Sequence, residues 1–164
     1  MSDPLALVYD FEADLSRFGD AVENGATLVL REAGDTTAEA IVIGNQYGPG
    51  VPIDTGWARA SFVAALNEPA EGRGERPFIS RKVNPAGRVL FPETIDLAPI
   101  GRAQLGDAIY ITTVVEYAQV LEFQPKTRRY GPNAGRSTVF IEPVHARFGA
   151  IVDDAADRVG YGRA

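Results

Sequence analysis

The chain has 164 residues, a net charge of −6, one histidine and no cysteine. Its hydrophobic content of 45% is ordinary for a globular protein, and its length predicts one domain, residues 1–164, with a real core. The lack of cysteine excludes disulfides and thiolate chemistry, and a lone histidine argues against a His-rich metal site or a His-based triad.

A helical pattern opens the chain. Apolar residues recur at steps of three and four, which places them on one face of an α-helix. These residues are Phe11, Leu15, Phe18, Val22, Ala26, Val29 and Ala33. The pattern predicts either a helix broken near Gly34 or one long helix that runs to Gly44. Residues 48–52 (GPGVP) predict a loop, because proline and glycine there interrupt helical hydrogen bonding.

A short helix and the first strand are predicted after this loop. Asp54 or Thr55 suits the N-cap of a helix that ends near Ala60, since its side-chain oxygen accepts a free backbone N–H. This helix would turn Trp57 inward, and residues 61–66 form the first strand. Residues 67–88 and 124–136, rich in glycine, proline and basic residues, predict exposed loops, the first of them a possible hairpin.

The remaining elements complete an α+β prediction. Residues 88–91 predict a short strand, residues 108–115 the best strand of the chain, and residues 116–122 a short helix. Pro143 suits the first position of a last helix, whose apolar face is formed by Val144, Phe148, Ile151, Val152, Ala155 and Val159. We expect a long N-terminal helix, a small and mostly antiparallel sheet, and a C-terminal helix packed on that sheet.

Charge is spread unevenly along the chain. Residues 1–72 hold 12 acids against 3 arginines, whereas residues 73–147 have a net charge of +4. An acidic chain is a poor candidate for general nucleic-acid binding, but an acidic part and a basic part suit contacts between neighbouring subunits. The basic residues form two candidate interfaces: Arg73, Arg76, Arg81 and Lys82 in the first loop, and Lys126, Arg128 and Arg129 in the second. The alternative is two solvated loops.

The tripeptide Asp54-Thr55-Gly56 also matches the active-site motif of aspartic proteases, in which two such loops share a proton between their aspartates. A homodimer could supply both loops. However, Pro52 precedes the aspartate and bulky Trp57 follows the glycine, where the protease has an apolar strand and a small residue. A helix start explains the motif better. No cofactor or metal is predicted, since His145 and the acids Asp153, Asp154 and Asp157 lack the spacing of a metal site.

Two segments together resemble a known family. Residues 51–62 (VPIDTGWARASF) resemble the pattern P-x-D-T-G-x-L-R-x-S of neck and tail-completion proteins of tailed bacteriophages, the gene-product-ten-like family of minor head–tail joining proteins. Residues 115–123 (VEYAQVLEF) resemble that family's Y-A-x-x-x-E-F-G segment, and residues 140–144 (FIEPV) its entry to the last helix. Ala58, Gln124 and Val144 depart from the family pattern.

The resemblance implies a structural virion protein with no catalysis. It would join capsid and tail as a ring, a hexamer or a dodecamer, around the DNA channel, in a tail-completion or tail-terminator role. Its partners would be other copies of itself, head-closure, portal-adaptor and tail-tube or tail-terminator proteins, and DNA that passes without sequence-specific binding, with no membrane. It would be located in the virion and, during assembly, in the host cytoplasm. The alternatives are an adaptor outside the virion and, remotely, a homodimeric aspartic hydrolase that uses Asp54.

The family motif also assigns structural roles to single residues. Asp54 and Thr55 would cap a helix, Gly56 would give backbone clearance, and the aromatic residues Trp57, Tyr117 and Phe123 would pack in the core. Arg59 and Glu122 would form an ion pair that holds the two segments together, with Ser61 and Pro143 completing the motif.

Overall fold

The structure is a computed structural model that describes residues 4–51, 57–70, 82–83, 89–90, 95–113, 115–124, 135 and 137–161. For residues 4–11, 57, 82–83, 89–90 and 116–117 it describes the backbone alone. The helices are α1 (Pro4–Val42), α2 (Trp57–Ala60), α3 (Glu116–Phe123), α4 (Glu142–His145) and α5 (Phe148–Val159), with a 3₁₀ turn at Ile100–Arg102. The strands are β1 (Val63–Leu66), β2 (Lys82–Val83), β3 (Val89–Leu90) and β4 (Ile109–Thr112).

The predicted α+β fold is confirmed. The first helix is continuous through Gly34 and ends at Val42, and the strands form two antiparallel pairs. In the first pair, Val63 of β1 lies opposite Thr112 of β4 and Leu66 lies opposite Ile109. In the second pair, β2 lies inside the predicted loop or hairpin at residues 67–88, and β3 lies inside the strand predicted at residues 88–91.

The second half of α1 divides the core into two clusters. Ala38 and Val42 belong to a cluster with Phe62, Ala64, Ile100, Ala118 and Phe140, on the side of the β1–β4 pair. The Phe62 and Phe140 rings meet edge to face in this cluster, with centroids 6.2 Å apart. Ala33 and Ala40 belong to the other cluster, with Tyr47, Val144, Ile151 and Ala155. Small residues on α1 therefore let other elements approach it closely on two sides.

The C-terminal helix differs from the prediction in its packing and in its start. It packs on α1, where Arg158 Nη1 lies 2.7 Å from Glu32 Oε1, rather than on the sheet. The predicted helix from Pro143 onward is divided, because α4 ends at His145 and α5 begins at Phe148. Phe148 is exposed as a result, although it was predicted to lie on the apolar face. Gly160, with φ of +72°, ends α5 in the left-handed conformation that glycine adopts without strain.

A tight loop joins α1 to the rest of the fold. The backbone N–H groups of Gly50 and Val51 donate to the carbonyls of Ala40 and Val42, which folds the chain back along the end of the helix. Gly50 has φ of +67° and lies so close to the Ile43 carbonyl that a Cβ would overlap it. This return places Val51 in the core and brings α2 against the end of α1.

Candidate interaction surface

Arg59 lies inside the fold and holds the loop that follows α1. Its side chain is only 5% exposed. Its Nε atom donates to the Val51 carbonyl at 3.1 Å, and its Nη2 atom donates to the Ile43 carbonyl at 3.0 Å. A buried guanidinium is tolerated only where its donors find acceptors, and these carbonyls supply them. Arg59 thus has the position of a structural clamp between α2 and the end of α1.

Ser61 makes a similar link on the other side of α2. Its Oγ atom donates to the Ala58 carbonyl at 2.7 Å and lies 2.7 Å from Thr113 Oγ1. Thr113 Oγ1 in turn accepts the backbone N–H of Val115, the residue before α3. This buried serine therefore joins the first family-like segment to the start of the second.

Glu122 caps the entry to α4. It is 9% exposed, and its carboxylate accepts three consecutive backbone N–H groups. These donors are Phe140 at 2.8 Å, Ile141 at 3.1 Å and Glu142 at 2.9 Å. The first N–H groups of a helix have no partner within the helix, so a carboxylate at this position satisfies them and interacts favourably with the helix dipole. Pro143 follows inside α4.

Two predictions about these motif residues need correction. Glu122 bonds the backbone of residues 140–142 and Arg59 bonds carbonyls, and no ion pair joins the two among the residues that the structure describes. Phe123 was predicted to pack in the core, but its side chain is 79% exposed. Phe123 is the last residue of α3 and lies on a different face of the helix from the buried Ala118.

The other predicted motif and interface residues are described only in part or not at all. Trp57 and Tyr117 are described as backbone alone, and Lys82 lies in β2 with only its backbone described. The remaining predictions lie outside the described residues: Asp54, Thr55, Gly56, Arg73, Arg76, Arg81, Lys126, Arg128 and Arg129. The capping role of Asp54 and the interface roles of the basic residues stay predictions.

An exposed apolar surface lies on the N-terminal half of α1. Every residue from 12 to 24 is exposed. Leu15, Phe18 and Val22 are 58%, 67% and 41% exposed, and their spacing of three and four places them on one face of the helix. We call these three residues the apolar stripe. The sequence predicted this face correctly, but nothing in the described part of the chain covers it.

The N-terminal half of α1 is uncovered because α5, which packs on the other half of α1, is only 12 residues long. The chain turns at Gly160 after the end of α5, and the Tyr161 ring lies directly against the backbone of Gly25. On the N-terminal side of Gly25, every residue from 12 to 24 is exposed. Residues 12–24 rise about 20 Å along the helix axis at 1.5 Å per residue, so this half of α1 projects from the fold as an arm.

A second exposed apolar surface lies on α3. Val120 and Phe123 are one helical turn apart and are 41% and 79% exposed. We call this pair the α3 patch. Ile141, another exposed apolar residue, lies just before α4. Its backbone N–H donates to the carboxylate of Glu122 in α3, so the backbone of Ile141 lies beside α3. The patch and the apolar stripe belong to separate elements of the fold.

A cleft lies beside the loop that follows α1. This cleft of about 740 Å³ lies between the loop at residues 43–49 and residues 137–147, and its lining contains one serine and no histidine. Arg147, at its edge, donates to the Gln46 carbonyl at 2.9 Å. The described residues contain no group of three or more histidine, aspartate or glutamate side chains that could hold a metal ion.

A polar network links α5 to the loop after α1. The Tyr47 hydroxyl donates to the Asp154 carboxylate, and this bond, together with burial, raises the pKa of Tyr47. Gln46 donates to the same carboxylate at 3.4 Å. The network positions α5 against the loop that follows α1. We therefore interpret it as structural.

No family model matches the chain, and comparison with curated proteins and with solved structures gave no match. Within the part of the chain that the structure describes, no helix combines the length and the apolar character needed to cross a membrane. Function must therefore be argued from the surfaces above and from the motif resemblance.

Sequence reasoning identified residues 59, 61 and 122 but not their partners. A buried carboxylate at the next-to-last position of a short helix gives no sequence signal of the distant backbone that it caps. The exposure of the apolar stripe had no signal either, because periodicity shows which residues share a face and not what covers them. The predicted last helix is shorter than the first, and this difference in length was the one indication in the sequence that part of the first helix would stay uncovered.

Proposed function

We propose that this chain is a structural protein of the tailed-phage neck, which joins capsid and tail as a ring around the DNA channel in a tail-completion or tail-terminator role. The observation that carries the proposal is the projecting arm of α1 with its uncovered apolar stripe. Folded proteins bury most such surface, and a stripe of large apolar side chains on an isolated helix suits a protein that is completed by assembly.

The motif residues support the same proposal. Arg59, Ser61 and Glu122 are buried, and each bonds backbone atoms inside the fold. Buried polar groups that bond backbone atoms hold segments of the fold together, which supports a structural role for these three positions. A signature made of such residues marks a scaffold, as the resemblance to phage neck proteins implies.

Disruption of the gene tests this role. We expect a phage lacking the gene to accumulate filled or unfilled heads apart from tails, or tails of irregular length, and the wild-type gene supplied in trans to restore joined virions. Genes for portal, capsid and tail-tube proteins should flank it. Normal virion yield from the disrupted phage, with the protein absent from particles, would contradict the proposal and favour an adaptor outside the virion.

One variant separates the structural role from hydrolysis. Asp54→Asn keeps a side-chain oxygen that can cap a helix but cannot share a catalytic proton. If the role is structural, the Asp54→Asn gene restores virions as well as the wild type does. A folded Asp54→Asn protein that fails to restore them, together with peptide cleavage by the wild-type protein, would instead favour the aspartic hydrolase.

A further inference from the structure

The apolar stripe continues the face of α1 that α5 covers. On the covered half of α1, the residues that lie in the cluster with α5, near Arg158 or against Tyr161 recur at steps of three and four. These residues are Gly25, Val29, Ala33, Thr36 and Ala40. The stripe precedes Gly25 at the same steps, so both sets lie on one face of the helix. The stripe is therefore the part of a single face that α5 does not reach.

The direction of α5 defines the place that is left uncovered. At the start of α5, Arg147 donates to the Gln46 carbonyl, beyond the C-terminal end of α1. Just after the other end of α5, the Tyr161 ring lies against Gly25. The two helices therefore run antiparallel, and α5 ends where the stripe begins. A helix that covered the stripe would lie end to end with α5 on the same face of α1.

The arm of a second copy fits this place when the two arms are antiparallel. In a parallel pair, the α5 of each copy lies on the side that faces the other copy, directly after the stripe, and the two would collide. In an antiparallel pair the bodies lie at opposite ends, so each α5 lies beyond the tip of the other arm. The two uncovered faces have the same length and cover each other, and opposed helix dipoles favour this orientation.

The spacing of the large apolar residues sets the register of such a pair. They recur at alternating steps of three and four, the heptad pattern with which two helices interlock. The sequence extends this pattern by one step to Phe11. An antiparallel pair then packs Leu15 against Phe18 of the second copy, and Val22 against Phe11. Phe18, which is 67% exposed in the single chain, lies near the middle of the contact.

The residues that flank the stripe fit this register. Glu12 and Asp14 flank its N-terminal end, one on each side, and the small residues Gly19 and Ala21 flank its C-terminal end on the same two sides. Antiparallel packing places Asp14 opposite Ala21 of the second copy and Glu12 opposite Gly19. Each acid therefore meets a small neutral residue, and no acid lies opposite another acid across the contact.

The other charged residues of the arm lie away from the contact. Arg17, Asp20 and Glu23 fall on the outer faces of the helix. Arg17 Nη1 lies 3.0 Å from Asp14 Oδ1 of the same helix, which reduces the negative charge beside the stripe. The net charge of −3 on residues 12–24 still repels the like charge of a second arm, and salt screens this repulsion. Apolar contact therefore supplies the affinity, and added salt should increase it.

We propose that the arm of this chain pairs with the arm of a second copy, as an antiparallel two-helix contact in which the two apolar stripes cover each other. Because both copies use the same surface, the contact closes a dimer. The inference goes beyond the proposed neck function and does not depend on it, since the contact is a property of the purified protein.

A matched pair of variants tests the apolar contact. Phe18→Asp and Ser16→Asp each add one negative charge to an exposed position of the arm, the first in the stripe and the second on the outer face. By sedimentation equilibrium, we expect a wild-type dimer that Phe18→Asp weakens on the order of 30-fold or more and that Ser16→Asp changes by less than about threefold. Thermal unfolding checks that both variants keep the fold.

A charge placed across the contact tests the register. The lysine of Ala21→Lys would face Asp14 of the second copy, twice in each dimer, so we expect dimerisation to strengthen by about threefold or more. In an Asp14→Ala background the same substitution should lose this gain. The two positions are seven residues apart in one helix, so the coupling between them is not made within one copy. Ser16→Lys, which adds the same charge on the outer face, controls for net charge.

Disulfide cross-linking distinguishes antiparallel from parallel arms. Because the chain has no cysteine, Asp14→Cys, Gly19→Cys and Ala21→Cys proteins carry one thiol each, and all three leave the stripe intact. Under mild oxidation, the antiparallel pair predicts that Asp14→Cys mixed with Ala21→Cys gives mainly the 14–21 disulfide. A parallel pair would instead join positions 14 and 19.

Three results would overturn the proposal. A Phe18→Asp protein that dimerises as well as the wild type shows that copies meet through another surface. A predominant 14–19 disulfide shows that the arms are parallel. A wild-type protein that stays monomeric at about 1 mM and gives no 14–21 disulfide shows that the stripe is covered by something other than a second arm. None of these results bears on the presence of the protein in virions, which the gene disruption measures separately.

Discussion

At the scale of single residues, the polar groups of the family-like motif act on backbone atoms that lie far away in sequence. Glu122 accepts N–H groups 18 to 20 residues further on, and Arg59 donates to carbonyls 8 and 16 residues earlier. The residue types could be selected from the sequence, because buried charge requires several partners. Their partners could not be predicted, because every residue carries similar backbone groups and the sequence does not mark which of them will bond a given side chain.

Replacement of Glu122 by alanine should destabilise the protein by about 2–3 kcal/mol, because it removes the acceptor of three N–H groups at the entry to α4. The matched control is Gln119→Ala on the exposed side of the same helix, which should change the free energy of unfolding by less than about 0.5 kcal/mol. Urea denaturation measures both. Equal effects of the two substitutions would show that the cap contributes nothing.

A second residue-scale prediction concerns the turn before β4. The Asn67 amide donates to Asp107 at 2.8 Å and the Gln104 N–H donates to the same carboxylate at 2.7 Å, and these bonds hold the pKa of Asp107 below its ordinary value. A lowered pKa in the folded state stabilises the protein above the unfolded pKa of about 4, and this stability is lost as pH falls below it.

We therefore expect Asp107→Asn, and also Asn67→Ala, to lose less stability than the wild type between about pH 5 and pH 2.5. Asn67→Ala leaves the carboxylate in place and removes the first cause of the lowered pKa. Urea denaturation at several pH values measures the difference. A wild-type pH dependence in both variants would refute the role of these bonds.

At the scale of elements, α1 has two halves with different surroundings. From Gly25 to Val42 it packs on α5 and on the residues around the β1–β4 pair, whereas residues 12–24 are exposed on all sides. The sequence predicted the helix and its apolar face, because the period of 3.6 residues is a local property. The sequence could not show at which residue the packing on α1 ends, because that depends on where α5 ends.

Close packing between α1 and α5 depends on small side chains. Ala155 is buried against α1, in the cluster with Ala33 and Ala40, while Ala150 of the same helix is exposed. Ala155→Leu should destabilise the protein by about 1–3 kcal/mol through overpacking. Ala150→Leu adds the same atoms in solvent and should stay within about 0.5 kcal/mol of the wild type. Thermal or urea unfolding that ranks the two variants alike would contradict this packing.

The arm should also differ from the rest of α1 in local stability. A helical segment of this length, without tertiary contacts and with Gly19 inside it, is marginal in water. Amide hydrogens of residues 12–24 in the monomer should exchange much faster than those of residues 27–42, and they should become protected when copies assemble. Equal protection of the two halves in the monomer would indicate that something already covers the arm.

At the scale of the whole molecule, the fold places an acidic projecting helix and a separate apolar patch on one chain, which suits assembly with neighbours. The fold class followed from local patterns in the sequence. The division of the last helix at residues 146–147, the packing of α5 on α1 and the exposure of Phe123 did not, because each is decided by contacts between distant segments.

Imaging of the assembled virion by electron cryo-microscopy tests the central proposal most directly. We expect a ring of copies of this chain between capsid and tail. A virion without the protein, or with it present as a single copy, would contradict the proposed neck function.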